Sequence, residues 1–289
     1  IDMKLLSENV KPFVKFMMMI AILMSCFSLA ALILSTLNYI APTLQTERTG
    51  KLILQAIGSI IMFGVPTLFY ITVFDRAFGR HFRCSAPSNL WIWALILPIA
   101  SIPLIDLLNL WNNQWHFAGE EMWRQMQQNS SIAVSELLSV KSVSGLLGNI
   151  VVLAVVPAIF EELFFRGVLQ TICTEWFKNV FLGIIISSAI FSFIHFEIFS
   201  FVPRFVLSCL LGTVFVLGKN IFVNILCHFV NNLSSCVFYF LAANGKIEQA
   251  DSSIYSQTPL FIIISIVVLI FFSCFQIIHS KKQKNKIKN

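Results

Sequence analysis

Two adjacent glutamates, Glu161 and Glu162, sit inside an apolar run, and Arg166 follows four residues after the second. Residues four apart share one face of a helix, so Glu162 and Arg166 are placed to pair. Glu161 is turned about 100° away and is free to face elsewhere. Two neighbouring carboxylates in a low-dielectric setting repel each other. If Arg166 neutralises Glu162, Glu161 remains as the group whose proton affinity can be tuned, which suits a general base. A later apolar run carries Phe191 and His195, again four apart, and another carries His228 and Asn232 at the same spacing. A carboxylate and a histidine can activate water. A second histidine and an asparagine can donate hydrogen bonds to a developing oxyanion. That set is sufficient to hydrolyse an amide without a serine or cysteine nucleophile.

Each element alone has an ordinary explanation. A lone histidine in an apolar helix is usually a packing or hydrogen-bonding residue, and a glutamate pair at a helix end is usually a solvated cap. Their joint placement is harder to dismiss. An ionisable group within a membrane span costs about 2.5–3.5 kcal/mol, so the set would cost on the order of 10–20 kcal/mol if it faced lipid. These groups must instead face one another or water, and helices converging on one polar cavity are the simplest arrangement. Asp106 and Glu197 read as interface or supporting residues, and Arg204 as a side chain reaching for the outer boundary.

The elements that must position them are membrane helices. Of the 289 residues, 57% are apolar and only 12% charged. Mean hydropathy is +0.82. A soluble domain carries about a quarter of its residues charged, so that class is excluded. Crossing the hydrocarbon core takes about 20 apolar residues. Such runs lie near 14–40, 52–74, 90–110, 144–174, 181–200, 203–218, 221–243 and 258–279. The expected architecture is an all-α, polytopic bundle of about eight transmembrane helices around a polar cavity. It forms one membrane domain over residues 1–280, followed by a basic tail at 281–289. The first run is long enough to span and reads as a retained helix rather than a signal peptide.

Lysine and arginine placement sets the orientation. With the N-terminus inside, thirteen cations fall on the cytoplasmic side and six outside, with Arg166 within a span. Both termini are therefore expected in the cytoplasm of a cell (inner) membrane. The net charge of +6 is concentrated in the tail, which reads as lipid-facing, with no nucleic-acid partner. Trp91, Trp93, Trp111, Trp115 and Trp176 lie at expected headgroup levels. The stretch from Trp115 to Val140 reads as an interfacial amphipathic helix, a substrate-gating element or a connecting loop. Six of the seven cysteines lie in apolar runs, at no metal-binding spacing, and read as packing residues.

The runs Glu161-Glu162-Leu-Phe-Phe-Arg166-Gly167, Phe191-Ser-Phe-Ile-His195 and His228-Phe-Val-Asn-Asn232 resemble the motifs of the CAAX-protease and bacteriocin-processing family, the intramembrane glutamic endopeptidases. The resemblance spans about 144–240 and includes Gly212 and the turn at 218–220. It implies an eight-helix bundle with a conical cavity open to the cytoplasm and the bilayer. It also implies that Glu161 activates water with His195, that His228 and Asn232 form the oxyanion site, and that Glu162, Arg166 and Phe191 support them. No metal or cofactor is implied. The implied partners are a membrane-associated peptide or protein substrate and the lipid bilayer. Prenylated C-terminal peptides, leader peptides, bacteriocins and membrane anchors all fit such a site. Three rival readings are a zinc protease using both histidines and a glutamate, a transporter with a proton relay, and a non-catalytic peptide-binding or bacteriocin-immunity protein.

Overall fold

The computed structural model describes residues 10–75, 79, 86–247 and 258–272. The basic segment 281–289, Cys84 and Cys274 lie outside these residues. Among the described residues every regular element is helical. We label α1 Pro12–Ile40, α2 Arg48–Val73, α3 Ser88–Asn113, α4 Glu120–Leu138, α5 Val143–Phe177, α6 Val180–Phe193, α7 Phe201–Gly218, α8 Ile221–Ala243 and α9 Pro259–Phe272. Six of these (α1, α2, α3, α5, α7 and α8) are long and apolar enough to cross a membrane, and α6 and α9 are shorter apolar helices. The polytopic helical bundle expected from the hydropathy is the fold.

Several boundaries follow from single residues. Lys178 ends α5 and Lys219 ends α7, both in the left-handed region with φ of 51° and 50°. In each case an asparagine follows and caps the next helix. Asn179 Oδ1 accepts from the N–H groups of Phe181 and Leu182, and Asn220 Oδ1 from that of Phe222. A Lys-Asn pair thus makes both tight turns, stopping one helix and starting the next. Wider turns with i→i+5 bonding occur at Ile60–Gly64 and Ile150–Val155, just before Pro66 and Pro157. A proline ring crowds the carbonyl four residues back, and the wider turn removes that clash.

Two apolar clusters flank the centre. One joins Met19, Leu23, Phe63 and Tyr70 of α1 and α2 to Phe164, Phe165, Leu169 and Phe191 of α5 and α6. The other joins Leu90, Ala94 and Leu97 of α3 to Leu211, Val214, Val223 and Phe272 of α7, α8 and α9. The middle of α5, from Phe164 to Gln170, is buried on every side. It is the axis around which the other helices pack.

Two expectations need correction. The fifth apolar run does not form one span over 181–200. Helix α6 stops at Phe193 after 14 residues, and Phe196 takes a left-handed φ of 54°. At 1.5 Å per residue α6 is about 21 Å long, against about 30 Å of hydrocarbon. The following turn therefore lies at membrane depth, where irregular backbone is tolerated only when protein covers it. Here α3 and α4 cover it. Asn112 Nδ2 donates to Ile198 O at 3.1 Å, and its Oδ1 accepts from Val202 N at 2.8 Å. Gln127 Oε1 accepts from Phe199 N, and Ser130 Oγ donates to Glu197 at 2.7 Å. The second correction concerns Arg204. It does not reach for the boundary but turns back onto the Glu197 carboxylate.

Of the three readings of 115–140, the structure selects a helix. Helix α4 is latched onto the 197–200 turn, and Arg124 stacks its guanidinium 3.9 Å from the Phe199 ring centre.

Asn112 is wholly buried and satisfies two backbone groups of the turn that carries His195. Asn112→Ala should cost about 1–3 kcal/mol for each group left unpaired. Thermal unfolding in detergent checks this, and an unchanged midpoint would show that the turn is held elsewhere.

Candidate active site

The centre of the bundle is organised by Glu162. It has no solvent exposure, and Arg166, one turn along α5, donates from Nη1 to Glu162 Oε1 at 2.9 Å. His228 of α8 donates from Nδ1 to the same oxygen at 2.9 Å. Asn224, one turn before His228, donates to Glu162 Oε2 at 3.4 Å and to Leu211 O at 2.6 Å. The other side of Arg166 is also satisfied, because its Nη2 donates to the carbonyl and hydroxyl oxygens of Ser208 on α7, both at 2.9 Å. One turn further, Gln170 donates to Gly212 O at 3.1 Å. Arg166 to Ser208 and Gln170 to Gly212 each span 42 residues, so α5 and α7 run side by side in a fixed register. A Cβ at Gly212 would stand 2.8 Å from Gln170 Oε1 and 3.1 Å from the Ile184 side chain, so these side chains would have to shift to admit it.

Glu161 faces differently, as the 100° rotation between neighbours requires. Its Oε2 lies 3.9 Å from His228 Nε2. It also lines a cavity of about 590 Å³ whose walls include Phe27 and Leu34 of α1, Gln55 and Met62 of α2, and His195. Of the six ionisable or amide groups expected at the site, only Glu161 and His195 line this cavity, and His228 stands behind Glu161. His195 lies two residues beyond the end of α6, where its Nδ1 pairs with Phe191 O at 2.7 Å. A carbonyl oxygen only accepts, so Nδ1 carries the proton, and a neutral ring keeps its Nε2 lone pair. Phe191 joins these groups: its ring centre lies 5.0 Å from that of His195, 6.3 Å from that of His228 and 5.3 Å from the Arg166 guanidinium carbon.

The chain Glu161–His228–Glu162–Arg166 is therefore in mutual contact, and His195 shares a cavity with Glu161. Asn232 stands one helical turn beyond His228, and its Oδ1 accepts from Asn231 Nδ2 at 3.1 Å. Asn224, Ser208 and Gln170 were not singled out in the sequence. The signal was present for two of them. Asn224 extends the four-residue spacing of His228 and Asn232 backwards, and Gln170 extends that of Glu162 and Arg166 forwards. Among the described residues, no three His, Cys, Asp or Glu side chains group to hold a metal ion. The described cysteines are free.

Asp106 and Arg204 line a second cavity of about 730 Å³ between α3, α7, α8 and α9. Glu197 bonds Ser130 and Arg204 rather than approaching Glu161.

Residues 143–234 match the family model described as Type II CAAX prenyl endopeptidase Rce1-like. This stretch coincides with the one on which the resemblance to the CAAX-protease and bacteriocin-processing family rests, and the match bears that resemblance out. No curated protein and no solved structure matches the chain.

The buried pair sets a stability test. Arg166→Met leaves the Glu162 charge with only His228 and Asn224, and removing one partner of a buried ion pair costs about 3–5 kcal/mol. The double variant Glu162→Gln with Arg166→Met should recover part of that loss. Thermal unfolding of both variants in detergent measures it, and equal losses would show that the two side chains are not coupled.

Proposed function

We propose, taking the Rce1-like match over 143–234 as the premise, that the chain is an intramembrane endopeptidase that uses Glu161 to activate water. The carrying observation is the division between the two glutamates. Glu162 is enclosed and compensated by Arg166, whereas Glu161 opens onto a cavity it shares with His195. A base must be reachable by water and substrate, and Glu161 meets that requirement.

In this reading a water held between the Glu161 carboxylate and His195 Nε2 attacks the carbonyl carbon of a peptide lying in the cavity. Its proton passes to Glu161, and the carbonyl oxygen becomes the oxyanion. His228 keeps its Nδ1 proton on Glu162, which fixes the ring so that Nε2 points toward Glu161. With a proton on Nε2, the ring offers an N–H to the oxyanion. Asn232 has its amide oxygen occupied by Asn231, leaving its NH₂ group as the second donor. The intermediate then collapses, the C–N bond breaks, and Glu161 returns the proton to the leaving amine. The products are a free carboxylate and a free amine. The cavity wall is largely apolar, which suits a membrane-associated peptide or protein.

Glu161→Gln should reduce proteolysis by purified protein to background while leaving the unfolding midpoint in place. Full turnover in that variant would overturn the assignment. Asn232→Ala should lower the rate by about 10²–10³, the usual cost of one oxyanion donor. A strong chelator should leave turnover unchanged, and its inhibition would instead favour the zinc reading. Substrate flux in liposomes that fell in the same variants, without cleavage, would favour a transporter.

A further inference from the structure

The second cavity, of about 730 Å³, lies between α3, α7, α8 and α9, and none of the residues that line it also lines the Glu161 cavity. Its volume is that of an ordinary small-molecule site. Ile99, Ile102, Leu207 and Phe238 make part of its wall apolar, while Asp106, Arg204 and Ser265 make another part polar. Packing accounts for the first group. The second group carries hydrogen-bonding capacity that the protein leaves unused.

Ser265 is 1% exposed, and its hydroxyl has no partner among the described residues. Elsewhere in the spans a Ser or Thr hydroxyl donates back to the carbonyl four residues earlier, as Ser25, Thr36, Thr67 and Thr213 do. Arg204 gives Nη2 to Glu197, but its Nη1 is buried and unpaired. Asp106 lines the same cavity with no hydrogen bond or ion pair to any described residue, Arg204 included. On the same wall Pro103, inside α3, has no N–H to return to the Ile99 carbonyl. An unmatched buried donor costs about 1–3 kcal/mol. Ser265 and Arg204 each hold one in a cavity that also contains an unpaired carboxylate, and an occupant would satisfy all three.

The chemistry of that occupant follows from the three groups. Arg204 and Ser265 offer N–H and O–H donors, which call for an anionic oxygen. Asp106 calls for a cationic donor. Because Asp106 and Arg204 do not pair with each other, the two charges of the ligand must sit on separate atoms. The apolar wall adds a hydrocarbon chain. We propose that this cavity binds a phospholipid of the ethanolamine type, with its phosphodiester toward Arg204 and Ser265, its primary ammonium toward Asp106 and an acyl chain along Ile99, Ile102 and Phe238. Such a ligand enters from the bilayer around the bundle. A choline headgroup has no N–H for Asp106, and a glycerol headgroup has no positive charge. The site does not rest on the hydrolytic reading above.

Native mass spectrometry of the full chain in detergent tests this, by titration with phosphatidylethanolamine, phosphatidylcholine and phosphatidylglycerol of identical acyl chains. The ethanolamine lipid should bind about tenfold more tightly than either of the others, the discrimination that one hydrogen bond to a charged group supplies. Asp106→Asn should bring the three lipids to equal affinity, and Asp106→Glu should keep the order. Ile102→Trp, which leaves both charges in place and fills the cavity, should weaken the ethanolamine lipid by a similar factor. Equal binding of the three lipids by the unsubstituted chain would mean an annular lipid only and would overturn the proposal. A preference that survives both Asp106→Asn and Ile102→Trp would place the lipid elsewhere and overturn it too. Soluble O-phosphoethanolamine is the remaining arm: binding as tight as that of the whole lipid would remove the lipid as the occupant.

Discussion

An ionised carboxylate with no solvent exposure, in a bundle that is itself surrounded by lipid, is the constraint on which the rest depends. Isolated, Glu162 would cost many kcal/mol to bury, and it is tolerated only because partners converge on it. Arg166 supplies the opposite charge, and His228 and Asn224 supply further donors. His228 and Asn224 both fix α8 against α5. Arg166 in turn fastens α7 through Ser208, so the compensation of one charge sets α5, α7 and α8 relative to one another. In lipid this matters more than in water, because hydrocarbon is as apolar as the helix surfaces and gives no hydrophobic drive to associate. Polar contacts and close packing must hold the bundle, and Gly212 beside Gln170 shows both in one place.

Irregular backbone does the positioning that regular helices cannot. A straight α6 of full length would carry its polar end residues to the far boundary. Stopping at Phe193 leaves His195 in a turn at membrane depth, beside the cavity and against Phe191. The cost of exposing turn backbone there is met by Asn112 and Gln127, polar side chains from two other helices, while Ser130 holds the Glu197 carboxylate of the same turn. Helix α4 thus belongs to the site's support although none of its residues bears the chemistry.

Much of this was legible in the sequence, for identifiable reasons. Charges in apolar runs are expensive, so Glu161, Glu162, Arg166, His195 and His228 stood out against their background, and four-residue spacing correctly paired Glu162 with Arg166. Hydropathy located the apolar runs, and six of the resulting helices are long enough to cross. What the sequence hid was the break after Phe193. Hydropathy continues through Phe196, Ile198 and Phe199, whereas the helix ends at Phe193 and the backbone turns left-handed at Phe196. Arg204 was misjudged for a related reason. A long cation near a span end ordinarily reaches outward, and nothing local announced that Glu197 would fold back toward it across that turn. Asn224, Ser208 and Gln170 were overlooked because neutral polar residues are common enough in membrane helices to carry little signal singly.

The two asparagines that follow His228 illustrate how adjacency in a helix divides labour. Asn231 lines the second cavity, together with Asp106 and Arg204, while Asn232 lies on the face that continues the stripe of Asn224 and His228. The hydrogen bond from Asn231 to Asn232 Oδ1 links the two faces and fixes which way the second amide points. The glutamates do the same on α5, with one member enclosed and the other open to a cavity. In both pairs the rotation of about 100° per residue turns neighbouring side chains onto different faces of the helix. The doubled residue is therefore no redundancy: Glu162 holds the His228 ring whose other nitrogen faces Glu161, and Asn231 bonds the amide of Asn232 directly.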